Sequence, residues 1–159
     1  QCTMREATKI LKTFHTYQPE IRDVFHKDIR KALMAPEHCL IAPNGRRRDF
    51  FDRIDNHTIN EGISQLPQAI VSDQTKFSFI PTSSEAPWAH LVVESHDGSM
   101  WEVPTGREEE FYGIYKKNIE IPIDFRKCTL ARDFELTIPC EASSGESWGE
   151  LKEMRRRYT

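Results

Sequence analysis

The spacing of apolar residues predicts two helices in the first third of the chain. Thr3-Met4-Arg5-Glu6 has the pattern of a capping box, in which two side chains satisfy free backbone groups at a helix start. Apolar residues then recur at helical spacing, at Ala7, Ile10, Leu11 and Phe14. Pro19 suits the first turn of a second helix, which Pro36 ends. We expect both apolar stripes to face the core.

The second half of the chain has a pattern that favours strands. Residues 91–103 hold two β-prone runs that meet at His96-Asp97-Gly98, and Asp-Gly between such runs is a strong hairpin signal. Residues 119–123 and 134–138 also read as strands, and Thr105-Gly106-Arg107-Glu108 as the capped start of a helix. Helices followed by strands predict an α+β fold, with an antiparallel sheet covered by helices on one face.

The middle of the chain is the least regular. Residues 50–63 predict a helix that Gly62 and Pro67 interrupt. Residues 76–80 predict a short strand or a helix end, and residues 81–87 a loop.

Length and composition favour a single intracellular domain. The chain has 159 residues, no apolar run as long as a membrane span, and no signal-peptide pattern at Gln1-Cys2-Thr3. We therefore expect no membrane association and an intracellular location. The four cysteines have no metal-ligand spacing.

Charge is distributed unevenly. The net charge of −3 argues against binding nucleic acid by bulk electrostatics. Arg46-Arg47-Arg48, however, follows the turn-like Pro43-Asn44-Gly45, and three arginines in a loop can neutralise phosphates or simply form a solvated surface. Arg155-Arg156-Arg157 is interpreted as a solvated tail.

Asp97 is the main candidate for chemistry. A side chain held at a tight turn has little positional freedom, and Mg²⁺ prefers oxygen ligands in near-octahedral geometry. Turn chemistry alone also explains Asp97 and Gly98, so the residues themselves leave an ordinary surface turn open.

Several segments, in order along the chain, carry a resemblance. They are Tyr17-Gln18-Pro19-Glu20-Ile21-Arg22, Gly45-Arg46-Arg47-Arg48, Pro67-Gln68-Ala69-Ile70-Val71-Ser72-Asp73, residues 92–103, and Pro139-Cys140-Glu141 with Ser147-Trp148-Gly149-Glu150-Leu151-Lys152. In that order they resemble the carboxy-terminal part of family A DNA polymerases: an aromatic-Pro helix, a Gly-Arg-Arg-Arg turn, a Gln-Gly-Thr-Ala-Ala-Asp helix, the motif C hairpin, and an ending with Pro-Val-Glu and Trp-Gly.

The resemblance implies a carboxy-terminal polymerase fragment over residues 1–159. Residues 1–43 would be helices at the end of the fingers, and residues 44–159 the palm with its antiparallel sheet and motif C hairpin. It implies template-dependent nucleotidyl transfer in DNA replication or repair, with two Mg²⁺ ions that activate the primer hydroxyl and stabilise the transition state.

Individual residues take roles from the same resemblance. Asp97 matches the catalytic carboxylate that binds metal, and His96 the adjacent residue that supports the primer end. Gly98 stands where the family has Glu, so an accessory carboxylate is absent. Gln68 matches the glutamine that contacts the minor groove, where every base pair offers an acceptor. Arg46, Arg47 and Arg48 match contacts to the DNA backbone, at least one of them with a structural role.

The resemblance also implies a partner. The first metal-binding Asp, the fingers helix and the thumb precede the matched region in the family, so we expect an amino-terminal polymerase polypeptide to supply them and the chain to be inactive alone. Primer-template DNA and dNTPs would be the other ligands.

Two alternatives come from other classes. A catalytically inert, polymerase-derived module that binds DNA or protein is favoured by Gly98 and by the missing fingers. A metal-dependent phosphohydrolase marked by a His-Asp pair is disfavoured because the other histidines show no shared ligand spacing.

Overall fold

The computed structural model describes residues 2–154 and has an α+β architecture. The helices are α1 (Met4–Tyr17), α2 (Lys27–Met34), α3 (Asn56–Glu85) and α4 (Glu108–Ile119). The strands are β1 (Cys39–Ile41), β2 (Arg47–Asp49), β3 (His90–Ser95), β4 (Gly98–Glu102), β5 (Ile123–Asp124), β6 (Glu135–Leu136), β7 (Ser143–Ser144) and β8 (Lys152–Glu153). The predicted fold class is therefore confirmed at this coarse level.

The chain divides into two compact units. The first consists of the residues up to Ile70 together with Asp124–Phe134, and the second of Val71–Ile123 together with the residues from Glu135 onward. The division between Ile70 and Val71 falls within α3. The division predicted at residue 43, between fingers and palm, stays a prediction.

The beginning of α1 confirms the predicted capping box. The Thr3 hydroxyl accepts a bond from the Glu6 backbone N–H at 3.3 Å, and the Thr3 N–H donates to the Glu6 carboxylate at 2.8 Å. The predicted core role of the helix is wrong within the described residues, because α1 has no buried residue and Phe14 is 45% exposed. Capping and amphipathic spacing define a helix, but they do not determine whether a neighbour covers its apolar side.

The second predicted helix is confirmed in its position. It begins with a π-helical segment, Ile21–His26, and continues as α2. The first unit has one core formed by α2, the first half of α3, β1 and the residues that directly follow β1 and β2. Its buried members are Ile29, Leu33, Leu40, Ala42, Phe50, Ile59, Leu66 and Ala69.

Helix α3 corrects the predicted middle of the chain. The Asp55 carboxylate accepts from the N–H groups of His57 and Thr58 at 2.8 and 3.1 Å, which starts the helix as an N-cap does. The helix then runs for 30 residues through Gly62 and Pro67 and ends at Glu85. Residues 76–80 are therefore helical, as one of the two predicted alternatives had it, and the loop predicted at 81–87 is wrong up to Glu85. Leu66 is almost fully buried beside Pro67, so core packing outweighs the hydrogen bond that the proline cannot make.

The predicted hairpin is confirmed, but a single sheet is not found in the described residues. β1–β2, β3–β4 and β7–β8 each form a two-stranded antiparallel ladder. The strands predicted at 119–123 and 134–138 shrink to the two-residue β5 and β6, and α4 takes the first residue of the former, Ile119. These segments have β-prone residues but no neighbouring strand long enough to pair with all of them.

In the second unit, α4 packs under the hairpin. Phe111, Tyr115 and Ile119 of this helix are buried together with Ala86 and Ala89, and Trp101 packs against them. The predicted capping box at Thr105 is wrong: the helix starts after Arg107, and the Glu108 carboxylate accepts from the Gly106 N–H at 3.1 Å.

Candidate functional site

The tip of the β3–β4 hairpin is a two-residue loop, His96-Asp97. Ser95 pairs with Gly98, so these residues close the ladder and Gly98 is the first residue of β4. The sequence pattern had placed Gly98 in the turn. Instead His96 adopts the positive backbone angle, with φ of 49°, in the region where His occurs more often than most residues. An irregularity between Leu91 and Val93 shifts the register near the other end of the hairpin.

Both side chains of the tip are available to a ligand. His96 and Asp97 are exposed, and within residues 2–154 neither side chain has a hydrogen-bond or ion-pair partner. The Asp97 backbone does have a partner, since its carbonyl accepts a hydrogen bond from the Thr75 hydroxyl at 3.4 Å. Asp97 therefore has a carboxylate whose oxygens are all free for an incoming cation.

The residues present fit part of a metal site. Mg²⁺ takes oxygen ligands and keeps several waters, and the free carboxylate of Asp97 suits one such position. No group of three or more His, Cys, Asp and Glu side chains among residues 2–154 is arranged to hold a metal. A metal at Asp97 would need further ligands from substrate, water or another polypeptide.

Position 98 has room for a side chain. A Cβ built on Gly98 would lie 3.7 Å from the Ser95 carbonyl oxygen, an ordinary van der Waals distance, and Gly98 does not have a positive φ. The glycine is therefore required neither by the turn nor by a close contact. Its effect is the absence of a carboxylate beside Asp97.

The arginine loop lies in the first unit and connects β1 to β2. Gly45 adopts a φ of +87° at the turn, and the Arg46 N–H donates to the Asn44 side chain at 3.1 Å. Arg47 pairs with Asp49 at 2.7 Å, and this hydrogen-bonded carboxylate raises the pKa of Arg47.

Arg48 has two partners in the same unit. Its guanidinium lies 3.7 Å from the Glu61 carboxylate and 4.8 Å from the centre of the Phe50 ring. The ion pairs that Arg47 forms with Asp49 and Arg48 with Glu61 are solvent-exposed, and exposed ion pairs are weak. Phosphate groups can therefore compete for both arginines.

Gln68 is exposed on α3, one residue after Pro67, and lies in the first unit with the arginine loop. Within residues 2–154 its amide makes no hydrogen bond. Asp97 and His96 lie in the second unit. The predicted DNA contacts and the predicted catalytic residues thus belong to different units.

Sequence reasoning missed a buried polar side of α3. Between Asp73 and Thr82 the interior positions are almost all polar: Asp73, Gln74, Thr75, Ser78 and Thr82 are at most 6% exposed. Two of these side chains reach other segments: the Gln74 amide donates to the Ile119 carbonyl, and the Thr75 hydroxyl to the Asp97 carbonyl. The spacing of Thr75, Ser78 and Thr82 is helical, so a search for polar as well as apolar periodicity would have found this side.

Burial raises the pKa of two side chains in or near α4. Burial raises the pKa of the Tyr115 phenol, and the hydrogen bond with Ser99 partly offsets it. Burial, together with the nearby Glu120 carboxylate, raises the pKa of the Cys140 thiol to about 11. Both groups are therefore protonated at neutral pH.

No helix among residues 2–154 combines the length and the apolar character needed to cross a bilayer. Searches of the sequence against models of protein families and against curated proteins found no match.

Proposed function

We propose that this chain is the carboxy-terminal, palm-completing part of a family A DNA polymerase and takes part in two-metal nucleotidyl transfer during replication or repair. The observation that carries the proposal is the tip of the β3–β4 hairpin. His96 and Asp97 form its two-residue loop, the placement that the motif C resemblance requires. Such an enzyme works in the cytoplasm of a bacterial or phage-infected cell, or in an organelle.

In this function Asp97 is the catalytic carboxylate that the chain contributes. Its exposed oxygens would hold Mg²⁺, which would supply Lewis-acid activation of the primer hydroxyl and charge stabilisation at the α-phosphate. His96 lies next to Asp97 on the same rigid turn and orients the primer end. Because the tip has only two residues, its backbone keeps a fixed relation to the strands.

The first unit supplies DNA contacts. Arg46, Arg47 and Arg48 neutralise backbone phosphates, which position DNA without reading its sequence. The Gln68 amide donates to acceptors of the minor groove, which occur on every base pair. Both features suit an enzyme that must bind any primer-template.

A second polypeptide completes the enzyme. It carries the other metal-binding Asp, the fingers that bind the dNTP, and the thumb. The proposed function requires this partner, since one carboxylate does not assemble a two-metal site.

The test is primer extension. The chain is combined with the amino-terminal polypeptide from the same source, primer-template, Mg²⁺ and dNTPs, and extension is followed on a gel. We expect activity only in the mixture. Asp97→Ala should abolish it, whereas Glu102→Gln, which removes an exposed carboxylate from β4, should leave it intact.

An inert binding module is the second candidate, and Gly98 at the usual Glu position is the observation that favours it. Retained DNA binding without extension in the mixture would support this candidate. Full extension by Asp97→Ala would show that the motif C assignment is wrong.

A further inference from the structure

Hydroxyl groups attach the inner side of the hairpin to the helices of the second unit. Ser99 is the second residue of β4 and pairs across the ladder with Glu94. Its hydroxyl lies 2.8 Å from the Tyr115 hydroxyl of α4 and accepts from the Trp101 indole N–H at 2.9 Å. A small serine between two large aromatic groups therefore joins β4 to α4 two residues after Asp97.

The second attachment comes from α3. The Thr75 hydroxyl lies 3.0 Å from the Val71 carbonyl and 3.4 Å from the Asp97 carbonyl. Since one hydroxyl proton serves both carbonyls, the bond to Asp97 is the weaker one. Ser78, which is fully buried, donates to the Thr75 carbonyl at 2.6 Å and adds a further side-chain bond to this polar side of α3.

These bonds are directional, unlike the apolar contacts around them. Phe79 and Phe111 pack against Trp101 with ring centres 6.0 and 5.2 Å apart, which holds the hairpin on the core. Packing of this kind tolerates small sliding movements. The Ser99–Tyr115 bond fixes the height of β4 above α4, because a hydrogen bond weakens steeply when its length or angle changes.

We propose that Ser99 and Tyr115 are positioning residues, which set the place of Asp97 relative to the reacting groups. The proposal rests on the proposed polymerase function. Tyr115 is buried and its pKa is raised, so it keeps its proton, and we assign its hydroxyl an action through Ser99 and the β4 backbone.

The chain offers a matched control on the same helix. Tyr112 of α4 also has a hydroxyl that bonds within the second unit, donating at 3.2 Å to the carbonyl of Cys140, a residue outside the hairpin. Tyr115→Phe and Tyr112→Phe each remove one hydroxyl from α4. Only the first change should affect the hairpin tip.

The experiment has two readouts. In the chain alone, NMR relaxation and hydrogen exchange of the Asp97 and Gly98 amides report the order of the tip. In the combined polymerase, kcat and KM for the primer-template are measured. For Tyr115→Phe and Ser99→Ala we expect looser tip amides and a fall in kcat of about 10- to 100-fold with little change in KM. Tyr112→Phe should match the wild type in both.

The outcomes separate the two proposals. Wild-type tip order and kcat in Tyr115→Phe would overturn the positioning role, as would equal losses in Tyr115→Phe and Tyr112→Phe. If the wild-type mixture does not extend a primer, the proposed function fails, while the order of the Asp97 amide still decides whether the Ser99–Tyr115 bond holds the tip.

Discussion

At the scale of single residues, His96 and Gly98 differ in the backbone conformation that they adopt at the hairpin tip. His96 has the positive φ that glycine would accept most easily, whereas Gly98 has an extended conformation that any residue adopts. Holding a side chain in the left-handed region costs free energy, and such strain tends to persist where the surroundings determine it. The tip therefore has a histidine at position 96, where the backbone conformation costs free energy. It has no carboxylate at position 98, where any residue could adopt the conformation.

Gly98→Glu is the direct test of that omission. We expect the free energy of unfolding to change by less than about 0.5 kcal/mol, because the new side chain meets no close contact. In the combined polymerase the added carboxylate beside Asp97 should lower the Mg²⁺ concentration needed for extension. Gly98→Gln is the control of equal size without charge. Identical Mg²⁺ dependence of the Glu and Gln variants would contradict a metal-binding role for position 98.

The raised pKa of Cys140 predicts low thiol reactivity. Only the thiolate is nucleophilic, so a thiol with a pKa of about 11 reacts slowly at pH 8. We expect iodoacetamide to modify exposed Cys2 much faster than Cys140, and the Cys140 rate to rise as the pH approaches 11. Mass spectrometry of timed samples measures both rates. Glu120→Gln should speed the Cys140 reaction, and equal rates for Cys2 and Cys140 at pH 8 would refute the shift.

At the scale of elements, apolar periodicity predicted some helices and failed for the longest. It located α1, α2 and α4, in which apolar residues recur at helical spacing. It failed for α3 beyond Val71, because the interior positions there are polar and their partners are far along the chain, as with Thr75 and Asp97. Asp97 was found because it belongs to a local turn pattern, whereas the bond between Ser99 and Tyr115 joins residues that are 16 positions apart in the sequence.

Gly62 gives a test of how α3 packs in the first unit. A Cβ at this position would lie 2.8 Å from the Leu33 Cδ1 and 3.2 Å from the Ile29 Cγ2, and both side chains are fully buried. Gly62→Ala should therefore destabilise the chain by about 1–3 kcal/mol despite the better helix propensity of alanine. Chemical denaturation followed by circular dichroism measures the change.

Gly113 on α4 is the matched control, since nothing lies within 4 Å of a Cβ built there. Gly113→Ala should raise the free energy of unfolding by roughly 0.5–1 kcal/mol, because alanine loses less backbone entropy in a helix. A similar destabilisation by both substitutions would mean that close packing at Gly62 is not the cause.

At the scale of the whole molecule, the proposed DNA binding would have to overcome a net charge of −3. An acidic protein gains no affinity from its overall field, so a local cluster has to supply the phosphate contacts. The arginine loop between β1 and β2 is such a cluster, and the carboxylates beside Arg47 and Arg48 are exposed partners that phosphates can replace. We therefore expect affinity to depend on where a positive charge lies as well as on how many there are.

Two triple variants separate location from total charge. Changing Arg46, Arg47 and Arg48 to glutamine should weaken primer-template binding and reduce the slope of log affinity against log salt by roughly 0.9 for each phosphate that the variant no longer neutralises. Changing Arg5, Lys9 and Lys12 of α1 to glutamine alters the net charge equally but should leave that slope nearly unchanged. Fluorescence anisotropy at a series of salt concentrations measures both. If the two variants weaken binding to the same extent, total charge sets the affinity and the arginine loop does not bind the DNA.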